Sequence, residues 1–181
     1  MDRMKIRFDV IGQLGSMRRY ARALTRDATD AEDLVHDALV RAYERRETFR
    51  QGSSLRAWLL SVLHNSFIDR ARSRRAEAAR VVQSGYIAET RMEPPQDHVV
   101  RLAQVREAFL DLPEEQRSAL HLVAVEGLSY EQASSALGVP LGTLMSRIGR
   151  ARASLRDMED NAAGQAKGCL RIVGGRDERD S

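Results

Sequence analysis

Two adjacent prolines, Pro94 and Pro95, interrupt this chain of 181 residues near its middle. A proline inside a helix removes a backbone hydrogen bond and clashes with the preceding turn, so no helix is expected to continue through the pair. On both sides of it, apolar residues recur every three or four positions, which is the spacing of one helix face. Only 5% of the residues are aromatic, which disfavours a sandwich or barrel. We therefore predict an all-α protein of two small helical domains joined by a flexible linker.

The clearest helical stripe runs from residue 31 to residue 43. We expect Thr29 to cap this helix in a capping box with Glu32, and a further helix to start near Leu55. The spacing divides the chain into a first domain (residues 10–75), a linker (76–97), a second domain (98–157) and a mobile tail (158–181). The apolar residues of the stripe are Ala31, Leu34, Val35, Ala38, Leu39, Ala42 and Tyr43.

The second domain contains a helix-turn-helix pattern. Ser129 and Gln132 form a capping box that opens a short helix, Gly138 lies in a turn, and a last helix follows from about residue 142. In this arrangement the second helix reads DNA in the major groove. Four arginines and no acid lie between residues 142 and 156, so we favour DNA contact over a merely solvated basic face. The predicted contacts are Thr143, Ser146, Arg147, Arg150 and Arg152, opposite a buried stripe of Leu144, Ile148, Ala151 and Leu155.

Charge is unevenly distributed in the first domain. Between residues 64 and 80 there are five arginines against two acids, which favours a surface that follows a nucleic-acid backbone over simple pairing with a helix dipole. Between residues 27 and 47 there are seven acids and three arginines, so this helix is expected to point away from DNA, toward solvent or a protein partner. Trp58 is predicted to belong to the core.

Other classes of protein are less compatible with the sequence. The net charge of +3 does not by itself prove a nucleic-acid partner, and the single cysteine, Cys169, excludes an intramolecular disulfide and a CxxC zinc site. No signal peptide or membrane span is visible, so a cytoplasmic location is expected, with no membrane insertion. His64, Asn65 and Asp69 suggest acid–base chemistry only weakly, because no nucleophile or metal set accompanies them. We expect no enzyme activity, no metal and no cofactor.

Two ordered groups of motifs resemble the extracytoplasmic-function (ECF) sigma factors of RNA polymerase. The first resembles their domain two and comprises DAEDLVHD from Asp30, Phe49, LRAWL from Leu55, and HNSFIDRAR from His64. The second resembles their domain four and comprises LPEEQR from Leu112, GLSY from Gly127, and PLGTLMSRIGRAR from Pro140. His64 and Leu141 depart from the family pattern, where arginine and valine are common, which puts the specificity for the −10 element in doubt.

The resemblance implies an alternative sigma factor that binds core RNA polymerase, recognises promoter DNA, opens the −10 element and initiates transcription in a stress or envelope response. It also implies an anti-sigma partner. The alternative is a sigma-like mimic that sequesters an anti-sigma factor without binding DNA. By position, the resemblance assigns polymerase binding to Asp30, Glu32, Asp33, Asp37 and Arg41; −10 binding to Gln51, Ser53, Ser54, Asn65, Asp69, Arg70, Arg72, Arg74 and Arg75; and −35 binding to Thr143, Ser146, Arg147, Arg150 and Arg152.

Overall fold

The computed structural model describes residues 9–50, 52–80 and 97–168. Within these ranges all regular structure is helical, as predicted, and no helix is both long and apolar enough to span a membrane. The α-helices are α1 (Leu14–Thr25), α2 (Ala28–Glu44), α3 (Leu55–Arg80), α4 (Asp97–Asp111), α5 (Glu114–Leu120), α6 (Tyr130–Leu137) and α7 (Leu141–Gly168). Short 3-10 helices cover Ile11–Gln13 and Arg46–Thr48, and a π-helical turn covers His121–Val125.

Helices α1, α2 and α3 pack against one another in the first half of the chain. The predicted stripe of α2 is the reason: Ala31, Leu34, Val35, Ala38 and Ala42 are buried and Leu39 is partly buried. Tyr43, which was also predicted for this stripe, is instead 67% exposed, because it lies at the end of the helix beyond the packed core. However, Thr29 is not the cap of this helix. The helix begins two residues earlier than predicted, and the side chain of Asp27 accepts a hydrogen bond from the backbone N–H of Asp30.

The second half contains the predicted helix-turn-helix. Ser129 and Gln132 form a complete capping box at the start of α6, which confirms that prediction. Gly138 follows α6 with a φ of 64°, a left-handed conformation that an L side chain rarely adopts. The turn positions α7 so that Leu144, Ile148 and Ala151 are buried, as their spacing predicted.

Two predicted boundaries differ from the structure. Helix α3 continues to Arg80, into the segment predicted as linker, and α7 continues to Gly168, into the segment predicted as a mobile tail. The remaining part of the predicted linker, residues 81–96, lies outside the described residues, as do Gln51 and residues 169–181, which include Cys169.

The two halves share one hydrophobic core, although their separate apolar stripes suggested two independent units. Helix α3 packs on α6, and α1 packs on α5 and on the π-helical turn. Tyr20 of α1 is fully buried at this junction, and its ring stacks on that of His121 with centroids 5.3 Å apart. The described part of the chain therefore adopts a closed arrangement, in which the first half covers one side of the helix-turn-helix.

Candidate nucleic-acid interface

The outer face of α7 presents the polar side chains that the sequence predicted for −35 DNA. Thr143, Ser146, Arg150 and Arg152 are all exposed. Their backbones are fixed because the opposite face of the helix is anchored in the core by Leu144 and Ile148. Most of the predicted recognition surface is thus accessible on a rigid helix.

Arg147 is the exception, because its side chain is only 20% exposed. Its Nη2 lies 2.9 Å from Oε2 of Glu115 on α5. Burial first, and then the positive charge of Arg147, lower the pKa of His64 to about 4. The prediction that Arg147 lies on the exposed face is wrong for the closed chain.

Helices α2 and α3 are joined by three ion pairs. Arg41 Nη1 lies 2.6 Å from Asp69 Oδ2, and Arg74 Nη2 lies 3.4 Å from Asp30 Oδ2. Between them Arg70 donates from Nε to Asp37 Oδ2 at 3.0 Å. All six side chains are partly exposed, from 27% for Arg70 to 67% for Arg74. We call these three pairs the α2–α3 ion ladder.

The α2–α3 ion ladder divides the acidic face that the sequence treated as one surface. Asp30 and Asp37 turn toward α3 and pair with arginines that were predicted to contact −10 DNA. Glu32 turns toward α1, where it pairs with Arg18 and lies 3.9 Å from Arg22. The acidic residues of α2 therefore do not form one outward surface, because Asp30 and Asp37 face the arginines of α3.

A narrower outward face remains on α2. Asp33, His36, Val40 and Tyr43 are exposed at helical spacing, with side chains of Val40 and Tyr43 46% and 67% accessible. The Arg46 guanidinium lies 4.6 Å from the centre of the Tyr43 ring, a cation–π distance. Acidic at one end and apolar at the other, this outer α2 stripe is suited to a protein partner.

The loop before α3 has a structural role as well as an exposed edge. The Ser54 hydroxyl accepts a hydrogen bond of 3.2 Å from the backbone N–H of Ala57, so this predicted base contact caps α3. Ser53 and Asn65 are exposed. Trp58 is half-buried and packs against the core, with its ring 5.5 Å from that of Phe49, in agreement with the core assignment.

The rest of the predicted basic surface lies along the second half of α3. Arg72 and Arg75 are exposed, and Arg74 keeps 67% of its side chain accessible despite its ion pair. Arg70, at 27%, is held between α2 and α3 and also donates to the backbone oxygen of Asp33. Three of the four arginines are thus available to phosphates, whereas Arg70 mainly joins the two helices.

A buried polar cluster lies where the two halves meet, and the sequence did not reveal it. Glu126 follows the π-helical turn, and its side chain is fully buried. Arg19 of α1 donates two hydrogen bonds to this carboxylate, from Nε to Oε1 at 3.0 Å and from Nη2 to Oε2 at 3.1 Å. Arg56 of α3 donates to the backbone oxygen of Glu126 at 3.1 Å.

The environment of Glu126 keeps it charged. Burial by itself would raise the pKa of this carboxyl, but the neighbouring His121, Arg19 and Ser16 outweigh it and lower the pKa to about 2. His121 Nε2 lies 3.4 Å from Oε1. The two side-chain hydrogen bonds to this carboxylate both come from Arg19, in the other half of the chain.

A second contact runs in the opposite direction across the junction. Arg117 of α5 is almost completely buried, and its Nε donates to the backbone oxygen of Ala23 in the last turn of α1 at 2.6 Å. Its Nη1 donates to the oxygens of Leu110 and Leu112, at the end of α4, at 2.9 and 2.6 Å. One guanidinium thus satisfies carbonyl groups at the ends of two helices from different halves.

His64 and Asp69, which suggested acid–base chemistry, do not meet. His64 is buried, and its Nδ1 lies 3.0 Å from the Tyr20 hydroxyl. Asp69 is exposed and pairs with Arg41. No group of three or more potential metal ligands occurs among the residues that the structure describes.

Comparison with known proteins agrees with this arrangement of helices. The family model for Sigma-70 region 2 matches residues 13–77, and the model for Sigma-70 region 4 matches residues 102–155. The chain is 37% identical to the ECF RNA polymerase sigma factor EcfG of Rhodopseudomonas palustris over 150 residues, which is 83% of this chain and 82% of that protein. The chain belongs to the ECF family of RNA polymerase sigma factors.

Two solved structures resemble this sigma factor along most of its length. One is the sigma factor RpoE in complex with the anti-sigma factor NepR from Bartonella quintana, with a TM-score of 0.73, 32% identity, and coverage of 83% of this chain and 94% of that chain. The other is CnrH in complex with the cytosolic domain of CnrY, with a TM-score of 0.59, 29% identity, and coverage of 84% and 86%. Below, the first half is called domain two and the second half domain four.

Proposed function

We propose that this sigma factor binds core RNA polymerase through the outer α2 stripe, reads the −35 element with the outer face of α7, and binds the −10 element with the loop before α3 and the basic end of α3. The observation that carries the proposal is the exposed polar face of α7. The opposite, apolar face of α7 is buried in the core, and a complete capping box starts the preceding helix α6. Sigma factors are transcription regulators, so none of these roles calls for catalysis.

Recognition of the −35 element rests on chemistry that α7 offers. An arginine can bond guanine at two positions, and serine or threonine can bond bases or phosphates. Arg150 and Ser146 are exposed at neighbouring turns of the helix. Arg147 joins them once it leaves Glu115. Arg152 and Thr143 complete the face.

Binding of the −10 element requires a base to leave its stack, at a cost of a few kcal/mol that contacts to the base must offset. Ser53 and Asn65 are exposed, so their small polar groups are accessible to base edges. Arg72, Arg74 and Arg75 follow along α3 and suit phosphates. We assign Ser54 and Arg70 to supporting roles, because one caps α3 and the other joins α2 to α3. Asp69 likewise acts through Arg41.

Polymerase binding rests on the accessible chemistry of α2. Among the acids predicted for this role, Asp33 is exposed on the outer stripe, whereas Asp30 and Asp37 pair with α3 and Glu32 pairs with α1. We propose that Asp33, with Val40 and Tyr43, makes the direct contact. The other acids and Arg41 hold α2 in place.

An anti-sigma partner and a stress or envelope response complete the proposal. The resemblance to a structure of a sigma factor with an anti-sigma factor supports the partner. The alternative, a mimic that never binds DNA, is less well supported, because the match to the ECF sigma factor EcfG covers 82% of that protein. The cytoplasm is the compartment that such a role requires.

Run-off transcription tests the proposed function. Purified chain and core polymerase are incubated with genomic fragments, and the products are sequenced to find shared upstream elements. We expect transcripts that depend on the chain and share two separated elements. Stimulation of no promoter, combined with tight binding to an anti-sigma factor, would instead favour the mimic.

A further inference from the structure

The junction between domains two and four combines the shared apolar core with polar contacts made from both sides. Arg19 and Arg56 of domain two bind the side chain and the backbone oxygen of Glu126 in domain four. In return, Arg117 of domain four binds the Ala23 oxygen of domain two. The bonds that cross the junction therefore lie at the ends of helices, where carbonyl groups lack partners within the helix.

Such a junction is suited to opening. When the domains separate, Glu126 and the helix-end carbonyls return to water, which hydrates them well, so the loss of the bonds is partly offset. If only apolar packing held the junction, opening would expose apolar surface to water, and no new hydrogen bonds to water would offset that cost. Polar contacts between domains of one chain resemble transient interfaces.

The closed arrangement is incompatible with simultaneous binding of two promoter elements. Elements centred near positions −35 and −10 lie about 25 base pairs apart, or roughly 85 Å at about 3.4 Å per base pair. In the closed chain α3 packs directly on α6, and the axes of packed helices lie only about 10 Å apart. The same contact covers the first helix of the helix-turn-helix, which normally lies across the DNA backbone.

Arg147 adds a second sign that the closed chain is not ready for DNA. Its side chain is largely covered, it pairs with Glu115, and its charge reaches the buried His64 of domain two. The Arg147–Glu115 pair lies within domain four, so it must break in addition to the opening of the domains before this side chain can turn outward.

We propose that the Glu126 cluster is an interdomain latch: Arg19 and Arg56, by binding Glu126, hold the free sigma factor in a closed form, and the latch must open before the chain can engage a promoter. The proposal rests on the proposed function for its consequence at the promoter, but not for the latch itself. A partner that binds only the open form increases the fraction of open chains. The size of this increase depends on how much more tightly the partner binds the open form than the closed form. Core polymerase is that partner in this scheme.

Charge reversal at Arg19 tests the latch. Arg19→Glu places a second carboxylate against the buried Glu126. Arg18→Glu, one residue earlier, makes the same change in net charge but affects a pair that lies within domain two, Arg18 with Glu32. The Arg19 side chain is 53% exposed, so its replacement is compatible with the helix, and circular dichroism checks that helical content is kept.

The first measurement is the radius of gyration of the full chain by small-angle X-ray scattering. A compact chain of this length has a radius near 16 Å, and domains whose centres are about 40 Å apart give about 23 Å. We expect a compact wild type and Arg18→Glu, an expanded Arg19→Glu, and partial recovery in Arg19→Glu/Glu126→Gln, which removes the repulsion. Equal radii for wild type, Arg18→Glu and Arg19→Glu would overturn the latch, as would an expanded wild type.

The second measurement separates the latch from the proposed function. Binding of the free chain to a randomised pool of 20-base-pair duplexes is measured for each variant. We expect Arg19→Glu to bind about tenfold or more tightly than Arg18→Glu, because apparent affinity scales with the open fraction. Expansion without a gain in DNA binding supports the latch and overturns the assignment of α7 to the −35 element.

Discussion

Replacement of Arg117 by alanine should destabilise the protein more than any exposed charge. The guanidinium is 3% exposed and donates to three backbone oxygens, those of Ala23, Leu110 and Leu112. Burial first, and then the charge of Arg26, lower the pKa of Arg117 to about 10, which still leaves it charged at neutral pH. The substitution therefore removes a charged donor from three acceptors at once.

The magnitude follows from these contacts. A hydrogen bond to a charged group contributes about 1.5–3 kcal/mol, so three of them set an upper limit of roughly 5–9 kcal/mol. Water can enter the space left by the side chain and hydrate some of the carbonyls, which reduces the loss. We expect Arg117→Ala to lower the free energy of unfolding by about 3–5 kcal/mol. Arg117→Lys keeps the charge but not the planar fork, so about half of that loss is expected.

Urea denaturation followed by circular dichroism measures this loss. Arg106→Ala is the matched control, because Arg106 lies on α4 with an exposed side chain and should change stability by less than about 0.5 kcal/mol. A loss below about 1 kcal/mol for Arg117→Ala, similar to that of the control, would refute the view that this guanidinium holds the ends of α1 and α4 together.

Three further predictions concern other parts of the molecule. Asp33→Arg should weaken binding to core polymerase at least tenfold in a titration, whereas Glu131→Arg, exposed on α6, should not; equal effects would remove the outer α2 stripe from the interface. In a randomised −35 promoter library, Arg150→Ala should change which sequences are transcribed, at a cost of about 1–3 kcal/mol per lost contact, and Arg75→Ala should lower all outputs alike. The pKa of His64 is lowered to about 4 from an ordinary 6.5, so the unfolded chain binds more protons between these values; acidification from pH 7 to 4 should cost about 3 kcal/mol of stability, and His64→Gln should flatten that dependence.

Residues whose partners lie within one helix or turn could be predicted from the sequence. The apolar stripe of α2 and the Ser129–Gln132 capping box depend only on local spacing, and both are present. The start of α2 was misplaced because Asp27 and Thr29 both have side chains that can cap a helix, and local chemistry alone does not choose between them.

Partners far apart in sequence could not be predicted in this way. Glu126 and Arg19 are 107 positions apart, and nothing near Glu126 in the sequence shows that its carboxylate is buried. The same limit applies to the α2–α3 ion ladder. Counting acids on α2 indicated a charged face, but only the packing of α3 shows that Asp37 and Asp30 are matched by Arg70 and Arg74.

These long-range pairs change how the charges of a sigma factor should be interpreted. An arginine on α3 that pairs with an acid on α2 is partly neutralised in the free chain, so it attracts phosphate less strongly than an unpaired one. A partner that engages the acids of α2 would compete for the same carboxylates and leave the arginines more strongly positive. Exposed pairs contribute at most about 1 kcal/mol each, so the ladder alone cannot keep the chain from DNA. The Glu126 carboxylate is fully buried and lies between the domains, so it is better placed to make promoter binding depend on polymerase.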